Sequence, residues 1–360
     1  MQKDIAWQYS FANMQTVLIF LFYSMANFQT EKQLVLDYFK AFEQAQNTDF
    51  VSVQQQFIAD DYTFYGVYPF NQINDKTTAF DTVWQPLFAA FKHVQRRQDI
   101  FIAGQSEING ENWVMSMGHF MGLFDHDWLG IPAHRKVAML RYAEFCCVEN
   151  GKITKTGLWL DIIGLMHQVG LNPLPTQTGA AFTVPGPRHN NGLQFTAQDP
   201  TESAKTMTVL NRMINDLNQL NLTQNDRAGP EVMQKNWHDD MTWFGPAGIG
   251  STFTIERYQE QHMYPFREGL TDKVYNGHVC RFAEGEFACF FGWPNLSNRN
   301  RGGFLGLPSS DVKADMRIVD VYHRQGDKLL ENWVLIDIPY WLKQQGIDIL
   351  ERTTRLQNPN

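Results

Sequence analysis

Apolar positions along the chain fall into two periods, and the order in which those periods appear is used twice. Over 31–45, Leu34, Leu36, Phe39 and Phe42 recur near a helical spacing, and over 206–220 Met207, Leu210, Met213, Ile214 and Leu217 do the same. Each stretch opens a unit with a helix. A short strand is predicted around Thr63 and again around Thr242. A helical stretch follows through Trp84, Leu87, Phe88 and Phe91, and its later match spans 258–270. The period then changes to two: 99–104, 111–123, 135–148 and 152–163 read as strands, with Asn150-Gly151 as a hairpin turn. A short helix carrying His167, Gln168 and Gly170 closes the unit. Helices followed by a run of strands predict an α+β domain in which a curved antiparallel sheet wraps helices on one face. Such a sheet leaves a cone with one open end, a place to enclose a small apolar ligand.

The sequence repeats itself. Leu129-Gly130-Ile131-Pro132 returns as Leu305-Gly306-Leu307-Pro308, and the same offset of 176 sets Arg141 on Arg317, Lys152 on Lys328, Asp161 on Asp337, Gln168 on Gln344 and Gly170 on Gly346. Upstream, Asp60-Asp61-Tyr62-Thr63-Phe64-Tyr65-Gly66 echoes Asp239-Asp240-Met241-Thr242-Trp243-Phe244-Gly245 at an offset of 179. Two copies of one domain are therefore expected, at 31–171 and 205–350. Between them, 172–204 is rich in Pro and Gly, including Pro173, Pro175, Pro185, Pro187 and Gly192, which neither helix nor strand tolerates. It reads as a semi-rigid linker lying along the surface. Residues 351–360 are expected to be a tail and 1–30 an extension outside the domains. Met14 and Met25 offer alternative starts within that extension.

Composition narrows the class. The net charge of -8 and pI near 5.7, with no run of Lys and Arg, argue against a nucleic-acid partner. The apolar run 16–22 is too short to span a bilayer, so no membrane role is expected. It lacks the basic segment of a signal peptide, since Lys3 is offset by Asp4. A cytoplasmic location is expected, with an atypical N-terminal export signal as the alternative. Cys146, Cys147, Cys280 and Cys289 show no CxxC spacing and read as small buried apolar groups.

The run Leu129-Gly130-Ile131-Pro132, a strand, the Gly151-Lys152-Ile153 hairpin and Asp161 leading into a helix that ends Gln168-Val169-Gly170 resembles the SnoaL-like polyketide cyclases of the nuclear transport factor 2-like (NTF2-like) superfamily. The second copy resembles them more closely, through Gly245-Pro246-Ala247-Gly248-Ile249-Gly250, Pro265-Phe266, Leu270-Thr271-Asp272 and Glu331-Asn332-Trp333-Val334-Leu335-Ile336-Asp337. The resemblance implies two tandem cone-shaped α+β barrel domains. It also implies an intramolecular aldol condensation or related cyclase, isomerase or hydratase chemistry on a small apolar carbonyl compound, with no metal and no cofactor. An aspartate at position 337 would be the acid/base and, by the repeat, so would Asp161. Relatives commonly dimerise through their sheets, so an intramolecular pseudo-dimer is expected, with a homodimer as a further assembly. The first copy departs from the pattern: Gly157 stands where the second has Trp333, and Gly66-Val67-Tyr68-Pro69 replaces Gly-Pro-Ala-Gly. It is expected to be a degenerate, structural half. The competing function is a binding module or structural pseudo-dimer without chemistry.

A two-residue turn at Gly326-Asp327 would set Asp320 opposite Trp333 and Met316 opposite Asp337, so that Asp320, Trp333 and Asp337 share one face. In the first copy the same register sets Glu144 opposite Gly157. An acid among apolar side chains has its pKa raised and becomes a proton-transfer group near neutrality. The alternative for Asp161 and Asp337 is that they cap the following helix. His323 falls on the other face in this register and reads as a surface histidine, unless a bulge shifts the hairpin. His119, among Trp113, Met115, Met117 and Met121, reads as a hydrogen-bonded core histidine. Trp333, Asp320, Glu144, His323 and His119 are thus the candidate ligand contacts. Asp125, His126, Asp127 and His134 form a weak candidate metal cluster, because the second copy has no counterpart.

Overall fold

The computed structural model describes residues 27–45, 50–223 and 225–357, so most of the expected N-terminal extension lies outside the described residues. The first copy begins with helix Gln29–Ala45, whose buried Val35, Tyr38, Phe39 and Phe42 face the sheet. After helix Phe50–Phe57 come strands β1 (Ile58–Gly66) and β2 (Gln72–Ile73). Then Lys76–Ala79, a π-turn at Phe80–Trp84 and Gln85–Ala90 make one interrupted helix. Strands β3 (Phe91–Gln105), β4 (Asn112–Phe124), β5 (Val137–Glu149) and β6 (Lys152–Leu160) follow, and helix Ile162–Gln168 closes the unit. Ile162 and Ile163, expected at a strand end, belong to that helix.

The second copy repeats the order. Helix Pro200–Leu222 leads to β7 (Trp237–Phe244) and β8 (Ser251–Phe253). Ile255–Tyr258, a π-turn at Gln259–Met263 and Tyr264–Gly269 then precede β9 (Leu270–Tyr275), β10 (Cys280–Glu284), β11 (Phe287–Asn300), β12 (Lys313–Gln325), β13 (Lys328–Ile336) and helix Ile338–Gln344. The expected tail forms helix Ile349–Gln357. The linker is shorter than expected, because Asp199 caps the second unit's first helix and Pro200 opens it.

Both sheets are mixed, which corrects the antiparallel expectation. The orders are β2-β1-β6-β5-β4-β3 and β10-β11-β12-β13-β7-β8, with β9 paired to β11. Each copy's first strand runs parallel to its last, β1 to β6 and β7 to β13. Helices cover the concave face and the fold is α+β.

The other faces of the two sheets meet. Phe291 lies 5.5 Å from Trp113, 5.0 Å from Phe145 and 5.0 Å from Trp159, ring centre to ring centre. Burying aromatic surface of this kind satisfies an apolar face that a single copy would leave in water. The linker stitches the edges of both sheets. Phe101 in β3 donates its N–H to Gly192 and accepts from Gln194, while Ala180 pairs with Ser251 in β8. Gly192 is required there, since a Cβ would stand 2.4 Å from the Asp99 carbonyl oxygen. A paired edge strand no longer offers a template for aggregation.

Candidate functional site

One extra residue in each terminal hairpin decides which side chains meet. At the turn end Gln325 pairs with Lys328 and Arg324 with Leu329, but from His323 onward the register slips by one. The same slip occurs in the first copy between Cys147 and Val148, so the bulge is itself repeated. Asp320 therefore pairs with Val334 and Val321 with Trp333. Each strand sends alternate residues to opposite faces, so the slip exchanges the faces of one strand relative to the other.

The expected trio of Asp320, Trp333 and Asp337 is thereby split. Asp320, Tyr322, Asn332 and Val334 point into the cone of the second copy. Trp333, Asp337, Arg317 and His323 face the first copy and the linker. Trp333 has no exposed surface and donates its indole N–H to the Pro185 carbonyl at 2.9 Å. His323 is fully buried instead of lying at the surface: its Nδ1 is 2.8 Å from Glu331 and its ring stacks on Phe287 at 4.5 Å.

Asp337 and Asp161 are helix N-caps and links between the copies. Asp337 accepts from Tyr340 N at 3.1 Å and, across the interface, from Tyr68 N at 2.9 Å, with Arg317 Nη1 at 3.3 Å. Asp161 accepts from Gly164 N at 2.9 Å and from Ala247 N at 3.0 Å. The contacts are reciprocal, each copy's aspartate holding the other copy's loop. Burial pushes the Asp337 carboxyl up to about 6, against Arg317 and the two N–H groups. With three donors on it and 1% of its surface exposed, it has no open side for a substrate.

Inside the second cone the arrangement differs. Asp320 Oδ1 accepts from the Tyr322 hydroxyl at 3.0 Å and from Asn332 Nδ2 at 3.2 Å. Burial pushes this carboxyl up to about 6, opposed by those two hydrogen bonds. Yet Asp320 is only half-buried. The carboxyl is thus strongly desolvated while its residue keeps some exposed surface. From the helical side, the π-turn presents His262, stacked on Trp243 at 4.0 Å, and Tyr258 stands just before that turn, 5.7 Å from the same Trp243. Burial raises the Tyr258 hydroxyl, and the Asp320 charge adds to the rise, so Tyr258 remains a proton donor. The His262 imidazole is depressed to about 3 by burial and stays neutral, and its Nδ1 has no hydrogen-bond partner among the described residues. Local π-geometry of this kind is frequent where a helix serves a site.

A consequence for stability follows. His262 takes up its proton on unfolding as pH falls below about 6.5, so the folded state loses stability on the acid side. His262→Phe retains the stack on Trp243 without that proton uptake. Its melting temperature is expected to fall less than the wild type's between pH 7 and pH 4.5; parallel curves would show that His262 is not held neutral.

The first cone is filled. Glu144, the counterpart of Asp320, has no exposed surface and is ion-paired to Arg96 at 2.6 Å. The Arg96 guanidinium lies 3.6 Å over Phe39, 4.7 Å over Phe120 and 4.9 Å over Tyr142. Nothing in the repeat alignment marks Arg96 as a plug, because its position has no aligned partner. His119 is buried, with Nδ1 3.5 Å from Asp99, and it faces the interface rather than the cone. Three of the four residues of the weak metal cluster have other partners: Asp125 pairs with Lys92, Asp127 accepts from Ala133 N, and His134 accepts from Lys136 N.

The fold and site thus define a tandem α+β protein in which the first copy's cone is filled by an ion pair and the second holds a partly exposed acid. The chain is similar to solved structures that include an NTF2-like protein from Burkholderia xenovorans, 10% identical, covering 40% of this chain and 97% of its own, with a TM-score of 0.31. A protein from Jannaschia assigned as a SnoaL-like polyketide cyclase is 13% identical, covering 41% of this chain and 96% of its own at a TM-score of 0.33. Another so assigned, from Shewanella denitrificans, is 15% identical, covering 39% and 95% at 0.32. No family model and no curated protein matches the sequence. Among the described residues, no helix is long and apolar enough to cross a membrane.

Proposed function

We propose that the second copy carries a proton-transfer site for a small apolar carbonyl compound, with Asp320 as the acid/base, and that the first copy is its structural partner. The observation that carries this reading is the Asp320 carboxyl, pushed up to about 6 beside aromatic side chains while its residue keeps some exposed surface. A carboxyl with that affinity both takes and returns a proton near neutrality, as enolisation, aldol closure or double-bond migration requires. Asn332 and Tyr322 fix its orientation through one oxygen and leave the other for the substrate. Tyr258 is placed to donate to the oxygen of a developing enolate. Phe290 pairs with Asp320 on the neighbouring strand and packs on Tyr322, and Trp243, His262 and Phe266 form an aromatic cluster on the helical side, surroundings that suit an apolar skeleton.

Such a site can be tested without knowledge of its natural substrate. A small aryl ketone with acidic α-protons, such as 2-indanone, is incubated with the protein in deuterium oxide and exchange at the α-carbon is followed by NMR. Catalysed exchange with a rate that breaks near pH 6 is expected, the break reporting the titration of Asp320. Exchange no faster than in buffer with a control protein would sink the reading.

A further inference from the structure

The interface between the copies itself holds a cavity. It has a volume of about 280 Å³, lies between Arg141, Asp161 and the loop at Gly245–Gly250, and is roofed by linker residues such as Phe182. At the pseudo-symmetric place side chains pack directly on Arg317, and their counterparts can be read off the repeat.

In the second copy the buried guanidinium of Arg317 is completed in three ways. Asp337 pairs with it at 3.3 Å, the Asn71 amide oxygen accepts from Nη1 at 2.8 Å, and the Tyr340 ring stacks on it with its centre 3.4 Å away. Trp293 covers it from the other side at 3.8 Å. In the first copy each of these is missing. The counterpart of Tyr340 is Gly164, the counterpart of Asn71 is Gly250, and both glycines line the cavity. Opposite Arg141 on β4 stands His119, engaged with Asp99. Asp161 acts on Arg141 electrostatically without an ion pair. Arg141, with 5% of its surface exposed, donates only to the carbonyl oxygens of Gly245 and Phe244, each at 3.1 Å. Among the described residues it has no ion pair and no ring stacked upon it. Burial depresses its pKa to about 10, only partly offset by the nearby charges of Asp161 and Asp99. An incompletely satisfied buried charge facing a cavity is costly unless something fills it.

The geometry points to a binding site for a neutral aryl amide or aryl ketone in this interface cavity, its ring replacing Tyr340 against Arg141 and its carbonyl oxygen replacing that of Asn71. Neutrality follows from the surroundings. Asp161 and Asp99 already supply two negative charges around the single guanidinium, so a carboxylate ligand would be repelled by groups that a carbonyl oxygen tolerates. The volume matches one substituted ring, below the usual range for larger ligands. Planar stacking on a guanidinium, with a hydrogen bond in its plane, is the recognition mode arginine favours.

Benzamide is the probe, with benzoate as its charged isostere. Saturable binding of benzamide to the full chain is expected by NMR titration, with benzoate at least tenfold weaker. Gly164→Tyr, which copies the second copy's filling, should weaken benzamide at least tenfold while leaving the protein folded. Met139 lines the cavity, where the ring current of a bound aryl group acts on its methyl, so that resonance should move on benzamide addition. That shift reads the site in the wild type even where Gly164→Tyr folds poorly. No benzamide binding, binding that survives Gly164→Tyr, a Met139 methyl that does not respond, or tighter binding of benzoate would each overturn the proposal. Asp320 lies in the other cone, so failure here leaves the ketone-exchange test untouched.

Discussion

Asp320→Asn is expected to lower ketone exchange by roughly 100- to 10,000-fold, the usual worth of one positioned proton-transfer group. The amide is nearly isosteric and can still accept from Tyr322, so the site and its affinity for an apolar ketone should persist. The melting temperature should not fall and should rise slightly, because a desolvated carboxyl is removed from a site that pushes it up to about 6. Glu144→Gln is the control. It sits at the matching place in the first copy, but it leaves Arg96 buried against a neutral amide. It should lower stability and leave exchange near the wild-type rate. Equal exchange in wild type and Asp320→Asn would remove the assignment, and loss of exchange in Glu144→Gln at a temperature where it is folded would move the site to the first cone.

Asp337→Ala is expected to cost about 3 to 5 kcal/mol of stability, the usual consequence of leaving one partner of a buried ion pair without the other. The same change removes the cap on helix Ile338–Gln344 and leaves the Tyr68 N–H at the interface without its acceptor. Asp161→Ala should cost less, about 0.5 to 2 kcal/mol for a lost cap, because Arg141 does not depend on an ion pair with it. Asp337→Asn separates the contributions, since asparagine caps nearly as well but carries no charge for Arg317. Denaturant unfolding measures all three. A fall for Asp161→Ala as large as that for Asp337→Ala would show that the two interface clips are energetically alike, against the geometry.

The duplication was legible because it is written in residue identities: the shared Leu-Gly-x-Pro run, the paired arginines, the paired aspartates and Gln168 with Gln344 all survive at one offset. The structure gives those glutamines one task, each binding both backbone groups of a β-strand residue, Met139 or Asp315. Helix positions were legible from periodicity, and the alternative reading of Asp161 and Asp337 as caps matches their hydrogen bonds. In the sequence, the preference for the second copy as the working half rests on Trp333 and on the Gly-Pro-Ala-Gly loop at Gly245–Gly248. That tryptophan proves to hold the linker, and the contrast between the copies rests on Arg96, Glu144 and Asp320.

What the sequence alone determined is therefore the unit, its repetition and the side chains that alternate along each strand. Tertiary structure decided which of two faces those side chains use. One extra residue near each hairpin turn reverses the relation between neighbouring strands, and local sequence carries no mark of it at Leu330 or Thr154. That slip moved Asp337 and His323 to the interface and left Asp320 inside the cone. The filling of one cone was likewise settled by packing, since an arginine can reach a buried glutamate only once the sheet has curled far enough to bring β3 over β5.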